Sequence, residues 1–527
     1  MTTDATANLA SDYDDFEMGP VVRRLIDEVK ELYASDEIPW VVGYSGGKDS
    51  TAVAQLVWMA MSEMEPKERT KPVHIISVDT LVENPAVSVW VNRSLNQMNK
   101  MAKKSSMPIF AHTLSPDVSN SFWVNLIGKG YPAPRPGFRW CTDRLKIKPA
   151  DTFIQNVVKE NGEAILVLGT RKAESSARAG AMKKREENRK RDLLSPSTTL
   201  QNAYVYSPIA EWENDDVWIY LMQFENPWGY DNNDLLTMYR GATVDGECPL
   251  VVDTTTPSCG NSRFGCWVCT MVDEDKSMAA MIKNDDEKDW MTPLLDFRNN
   301  ELKPAGPTKD HHKRDFRRLN GQISLKRPSA HTSEDSLVPG PYRQDVRADF
   351  LRKLLLVQKD LRQNDRAPAE IHDIDLITLD ELQEIRRIWM IEKHEIEDLL
   401  PEIYESAVGK AFPSNPLDDR QPFDQEDMEI LKELCNGDDL HFELVRELLD
   451  VERSFRSKAK RSNLFGRIEK AFQKSSYEGA EDATERAVRK RDFETVLDEL
   501  RQGDMEFDEA TTRVSEIGTL ADLGDQS

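Results

Sequence analysis

Positive charge is in short supply in this sequence: 69 Lys and Arg face 93 Asp and Glu, a formal net charge of -24, with a pI near 4.9. A chain so acidic does not hold nucleic acid by bulk charge, so any such contact needs a local basic patch or a partner. An apolar run of the roughly 18 residues that a membrane crossing requires is also missing, which excludes a helical span. Met1 to Pro20 is acidic and polar where a secretory leader is basic and then apolar, so the expected compartment is the cytoplasm. Cysteine is scarce as well, with 6 in 527 residues. In a reducing compartment these thiols stay unpaired, and their grouping becomes informative. With 39% hydrophobic and 31% charged residues, the remainder reads as an ordinary globular protein of two or three domains.

The chain is organised around Trp40-Val-Val-Gly-Tyr-Ser-Gly-Gly-Lys-Asp-Ser-Thr-Ala-Val-Ala. Val41 and Val42 suit a buried strand, and Val53, Leu56, Val57 and Ala60 recur at helical spacing after it. The glycine turn therefore opens a helix. At such an end, unpaired N–H groups and the positive end of the dipole favour a phosphate, and Gly46 and Gly47 let the backbone approach it. Ser45, Lys48 and Ser50 add side-chain donors. A Walker A loop is excluded, because Val42 stands where its first glycine belongs and Asp49 follows Lys48. The dinucleotide fingerprint fails too. Ser45 to Ser50 instead resembles the PP-loop of ATP pyrophosphatases, which grips the β,γ-pyrophosphate of ATP.

Strand and helix patterns alternate from here. A helix is expected over Val21 to Tyr33, and strands over Val73 to Val78, Ile109 to Leu114 and Ala164 to Leu168. Asn84-Pro85 offers a cap and first-turn proline for the helix carrying Val87, Val91, Leu95 and Met98. The fold class is α/β with a doubly wound, mostly parallel sheet, whose ligands bind beyond the carboxyl ends of the strands. Asp79, Gly169, Arg171 and Arg178 fall along that edge with Ser45 to Ser50, with Glu174 placed to hold one of the arginines. The run from Lys183 to Arg191 is basic and unpatterned, and is expected as a mobile loop near a polynucleotide backbone or simply in solvent. Ser207 to Leu221 reads as a short extended piece and then a helix capped at Asn214.

Two cysteine features carry chemistry. Cys141 is surrounded by Arg139, Arg144, Lys146 and Lys148; cations lower a thiol's pKa, so it is either a sulfur carrier or nucleophile, or a half-buried cysteine beside phosphate-binding residues. Cys248, Cys259, Cys266 and Cys269 crowd into 22 residues with Pro257, Gly260 and Gly265 between them. Four thiols in a reducing compartment mean a metal. Structural zinc takes four thiolates, but zinc ribbons pair two short knuckles where this chain has one, and a 4Fe-4S cluster tolerates the irregular spacing better.

Taken together, Ser45 to Ser50, Val78-Asp-Thr, Arg139-Trp-Cys-Thr-Asp-Arg, Gly169-Thr-Arg-Lys-Ala-Glu-Ser-Ser-Ala-Arg and Ser207-Pro-Ile-Ala-Glu-Trp resemble the phosphoadenosine phosphosulfate reductase superfamily. Asn226-Pro-Trp-Gly, Leu236-Thr-Met-Tyr-Arg-Gly-Ala, Gly246-Glu-Cys-Pro-Leu and Ser258 to Thr270 are similar within it to the DndC-type DNA phosphorothioation sulfurtransferases. The resemblance implies an adenine nucleotide alpha hydrolase-like fold and an ATP pyrophosphatase that uses ATP, magnesium and a 4Fe-4S cluster on Cys248, Cys259, Cys266 and Cys269. It implies a sulfurtransferase that replaces a non-bridging oxygen of the DNA backbone by sulfur. Its partners would be DNA, a cysteine desulfurase as sulfur donor and other phosphorothioation subunits, with no membrane. Lys48, Asp49 and Cys141 take the catalytic positions, Asp49 helping to place magnesium or the loop. The alternatives are an adenylyl sulfate reductase, which would need a redox cysteine in a C-terminal tail although none follows Cys435, and a tRNA thiolase, for which no separate RNA-binding module is visible.

The expected domain order is a disordered tail (1-20), the PP-loop domain (21-245), the cysteine segment (246-302), a basic connector (303-340) and a helical accessory domain (341-527). In the last, Val346, Phe350, Leu354 and Leu361 share a helix face, Thr378-Leu-Asp-Glu381 resembles a capping box, and Leu444, Leu448, Val451 and Phe455 share another face. Such a domain serves as structural support or as a docking surface for partners.

Overall fold

The computed structural model describes residues 18–189, 191–243, 264–303, 310–326, 336–413, 425–456 and 463–517. Two compact units divide the chain: Met1–Phe122 with Pro134–Lys303 and Val357–Leu376, and Trp123–Ala133 with Pro304–Leu356 and Ile377–Ser527. Among the described residues no helix is long and apolar enough to cross a membrane.

The first unit is built on six strands, β1 (Trp40–Gly43), β2 (Val73–Val78), β3 (Ile109–Leu114), β4 (Ala164–Val167), β5 (Ser195–Pro196) and β6 (Ala203–Tyr206). Their order is β3-β2-β1-β4-β6-β5. All neighbours run parallel except β5 against β6. Side chains alternate between two faces, as the pleat requires. Trp40, Val42, Val73, Ile75, Ile165 and Val167 enter one core with the helices Gly19–Ala34, Lys48–Glu63 and Asn214–Gln223. Val41, Ile76, Ala164 and Leu166 enter the other, closed by Ile154 and Val157 of the helix Lys148–Asn161. A parallel sheet buried on both faces needs apolar residues at consecutive positions, which is why Trp-Val-Val and Ala-Ile-Leu-Val read as runs.

The strand order reverses at β1, with β2 on one side and β4 on the other. Open α/β sheets bind ligands at such a switch point, and the glycine loop leaves the carboxyl end of β1 there. Its helix, Lys48–Glu63, is buried on nearly every side from Ser50 to Trp58. That burial fixes the loop's exit.

Several expectations shift. The helix Ser176–Glu186 takes up the first part of the basic run expected as a mobile loop. Ser175 caps it by accepting from Arg178 N at 3.2 Å, Met182 is buried, and Lys183, Lys184 and Arg185 occupy the last turn, where cations offset the helix dipole. The later helix starts at Asn214, so the cap position belongs to Glu213, whose N–H donates to Asp216 Oδ2 at 2.7 Å. β6 lies just before Ser207, where the sequence suggested a short extended piece.

The second unit is helical. Thr378 and Glu381 form the capping box, Glu381 N donating to Thr378 Oγ1 at 3.2 Å and Thr378 N to Glu381 Oε2 at 2.9 Å. Leu382, Ile385 and Trp389 are buried behind it, and Trp389 Nε1 donates to Ile127 O at 3.0 Å. Basic residues expected in a connector are built into this unit: Arg314 and Arg317 are buried, Arg317 between Asp315 at 2.7 Å and Glu443 at 2.6 Å. Cys435 is buried and unpaired.

Candidate functional site

The helix Lys48–Glu63 begins without a side-chain cap: Gly47 is the N-cap and has none to offer. First-turn N–H groups are left for an anion. Gly46 turns the chain at φ 72°, a left-handed conformation, and a Cβ there would lie 2.5 Å from Val91 Cγ2. Gly169 lets the end of β4 lie against the loop helix, since its Cβ would lie 2.7 Å from Asp49 O. Ser50 Oγ accepts from Ser45 N at 3.1 Å and donates to Gly47 O at 2.9 Å, holding the loop ring closed.

The loop borders a cavity of about 920 Å³, within the range that holds a nucleotide. Ser45 to Ser50, Asp79, Arg171 and Arg178 all line it, so the residues expected along the strand edge converge on one space. Asp49 stands at its centre, taking Lys48 Nζ at 2.8 Å and Arg171 Nε at 2.6 Å. Arg171 is buried and donates to Trp212 O at 3.2 Å, so its guanidinium is fixed. Glu174 holds Arg178 Nη1 at 2.6 Å and accepts from Arg171 N at 3.0 Å. Asp79 follows β2, and its Oδ1 accepts from Leu81 N at 2.9 Å. Burial pushes its carboxyl above the ordinary range, with Glu83 adding to the effect.

Cys266 lies beside this cavity. Trp267 N donates to Val82 O at 3.0 Å and Asn84 N to Gly265 O at 3.2 Å, docking the cysteine turn on the stretch after β2. Cys266 Sγ is 3.7 Å from Glu83 Oε1 and 3.4 Å from Thr80 Oγ1. Glu83 and Lys146, which pair at 3.3 Å, line the same cavity. Cys269 N donates to Cys266 O at 3.0 Å, closing the turn that sets the two thiols three residues apart. Burial, then Glu83, push the Cys266 thiol up to about 12. Burial alone would lower Lys146, but the neighbouring Cys266 sulfur and the Glu83 carboxylate outweigh it and raise the amine above its ordinary range. Two half-buried thiols on a tight turn fit a metal or cluster.

Arg298 secures that turn from behind. Fully buried, it donates to Cys269 O at 3.0 and 2.9 Å, Val272 O at 2.6 Å and Asp273 O at 3.0 Å. Cys248 and Cys259 lie outside the described residues, and among the described residues no group of three or more Cys, His, Asp or Glu gathers as a metal site.

Cys141 departs from expectation. Its thiol is pushed up by burial, with Cys269 adding to the effect, instead of being lowered by cations. Lys146 is engaged by Glu83 and Lys148 lies 3.9 Å from Asp143, so those ammonium groups face carboxylates. Cys141 is half-buried. Sequence reasoning missed Thr80, Glu83, Tyr239 and Arg298. The first two follow β2 next to the recognised Asp79, and Tyr239 lies within the Leu236–Ala242 run that carries the resemblance but was given no role, whereas nothing in the pattern around Arg298 marks a function.

Residues 39–271 match the phosphoadenosine phosphosulfate reductase domain. Over that stretch the chain is similar to a phosphoadenosine phosphosulfate reductase domain. It is 25% identical over 206 residues to an uncharacterized protein of Methanocaldococcus jannaschii, an alignment covering 39% of this chain and 36% of that one. The chain therefore spans about a third of that relative's length. Among solved structures it is similar to the U34-tRNA thiolase NcsA from Methanococcus maripaludis with its 4Fe-4S cluster, at 14% identity and TM-score 0.25 over 55% of this chain and 85% of that one. It is also similar to FMN adenylyltransferase of Candida glabrata, at 14% identity and TM-score 0.25 over 45% of this chain and 67% of that one. Both are loose likenesses.

Proposed function

We propose that this chain is an ATP-dependent sulfurtransferase acting in DNA backbone phosphorothioation, with an ATP pyrophosphatase site and a 4Fe-4S cluster. The observation that carries the reading is Glu83, which lines the nucleotide cavity and lies 3.7 Å from the Cys266 sulfur, so activation and sulfur chemistry share one wall. The chemistry needs both. A phosphodiester oxygen is a poor leaving group; attacking the α-phosphorus of ATP, it becomes an adenylate as pyrophosphate departs. Sulfide-level sulfur then attacks the DNA phosphorus, and AMP leaves with the electron pair of the broken P–O bond.

Ser45, Gly46, Gly47, Lys48 and Ser50 gather the departing pyrophosphate, whose developing charge meets the loop N–H groups and Lys48. Arg171 and Arg178 hold the remaining phosphates. Asp49 and Asp79 are the carboxylates available to magnesium, and Gly169 keeps the end of β4 against the loop. Cys248, Cys259, Cys266 and Cys269 would hold the cluster, which when bound supplies a place for sulfide and electrons. Cys141 would carry, as a persulfide, sulfur delivered by a cysteine desulfurase; a second thiol attacking its inner sulfur releases sulfide and leaves a disulfide that an external dithiol reduces. The acidic chain leaves much of the DNA grip to partner subunits.

The matched domain's own name favours one second reading, reduction of a sulfonucleotide. The test is mass spectrometry of nuclease-digested DNA from cells expressing the chain with its neighbouring genes. Sulfur-linked dinucleotides are expected with wild type and not with Asp49→Ala or Cys266→Ser. Wild-type levels in both variants overturn the reading, and sulfite released from adenylyl sulfate without any DNA sulfur moves the assignment to the reductase.

A further inference from the structure

Tyr239 comes from the helix Asn232–Gly241, which Asp231 caps by accepting from Asn233 N at 2.8 Å. Buried Leu235 lies one turn before it and seats that face of the helix. The ring is held edge-on by Trp218 at 5.1 Å and by Phe264 at 4.6 Å between centroids. Its hydroxyl reaches the glycine loop, accepting from Lys48 N at 3.3 Å and lying 3.1 Å from where a Gly47 Cβ would stand. Lys48 N–H is one of the helix-terminal donors that an anion on this loop would use.

A phenol has one proton to donate besides the lone pairs it offers. Among the described residues Tyr239 Oη accepts at the loop but donates to nothing. Burial first, and the nearby Asp49 charge with it, push its ionisation up, so the proton stays on. A rigidly held hydroxyl, within the cavity lining and with an unused proton over a phosphate loop, lacks only an acceptor.

We propose that Tyr239 is a ligand of the pyrophosphate group, donating its hydroxyl proton to the anion seated on the Ser45–Ser50 loop, and that through Phe264 it ties this loop to the cysteine turn. Phe264 stands two residues before Cys266, so an anion that fixes Tyr239 also fixes the approach to the thiols. This rests on the reading of the loop as a pyrophosphate site and gives a role to Tyr239, which the sequence shows only as one letter of the Leu236–Ala242 run.

The experiment is calorimetric titration of the full-length protein with magnesium pyrophosphate and, separately, with ATP. Tyr239→Phe keeps the ring and its packing, so the hydroxyl alone is removed. It is expected to weaken pyrophosphate binding about tenfold, the size of one lost hydrogen bond to a charged group, with the melting temperature unchanged. Phe264→Ala, which keeps the hydroxyl and frees the ring edge, is expected to weaken it less. Unchanged binding in Tyr239→Phe overturns the proposal while leaving the loop reading intact; tighter binding shows that the hydroxyl blocks the site. Failure of wild type to bind either anion removes the loop reading and this proposal together.

Discussion

At the residue scale, Asp79 shows how the site trades stability for charge. Its carboxyl is buried after β2, with one backbone N–H from Leu81 to satisfy it. A carboxyl whose folded pKa is raised binds more protons folded than unfolded, so its contribution to stability declines as pH rises through that window. Asp79→Asn keeps an oxygen acceptor for Leu81 and removes the charge. Thermal unfolding should therefore show the variant more stable than wild type at pH 8, with the gain disappearing at acid pH; an equal gain at both ends would mean that charge is not the cause. The glycine loop was legible in the sequence because each of its letters has one steric or donor role. The roles of Tyr239, which stands inside a run that carries the resemblance, and of Arg298 were not, because a tyrosine or arginine in a helical stretch shows no contact until the fold brings its far end to a loop.

Elements tell a similar story with a different cause. β1, β2 and β4 are apolar runs in a sheet covered on both faces, and β3 was found at its full length from its pattern alone. β5, two residues long and antiparallel at the sheet edge, has too little length to show a period. The run after Ser176 looked unpatterned because its helix buries only Met182; the cap at Ser175 and the basic last turn were the available signs. The cysteine turn is the element whose fixing depends most on one distant residue. Arg298 supplies four hydrogen bonds to the carbonyls of Cys269, Val272 and Asp273. Lysine keeps the charge but lacks the planar fork, so it cannot serve three carbonyls at once. Arg298→Lys is expected to lower the iron and acid-labile sulfide bound per chain while pyrophosphate binding at the glycine loop persists. Full metal content in that variant would show that the turn holds its shape without the clamp.

For the whole molecule, the division into two units makes a prediction about unfolding. An anion that binds only the folded first unit stabilises that unit by mass action, about 2.7 kcal/mol at a hundred times its dissociation constant. For a block of this size that is an upward shift of roughly 4 °C. Of the 11 tryptophans in the chain, only Trp123 and Trp389 fall within the bounds of the second unit. Tryptophan fluorescence therefore reports chiefly on the first unit, whereas helical circular dichroism reports on both. Adding magnesium pyrophosphate should raise the fluorescence-detected midpoint and the share of the dichroism change that accompanies it, and leave where it was the dichroism change that has no fluorescence counterpart. If both midpoints rise together, the units unfold as one block and the energy of anion binding reaches the helical unit as well; if neither moves, no pyrophosphate is bound, and the glycine loop must be read as a structural turn.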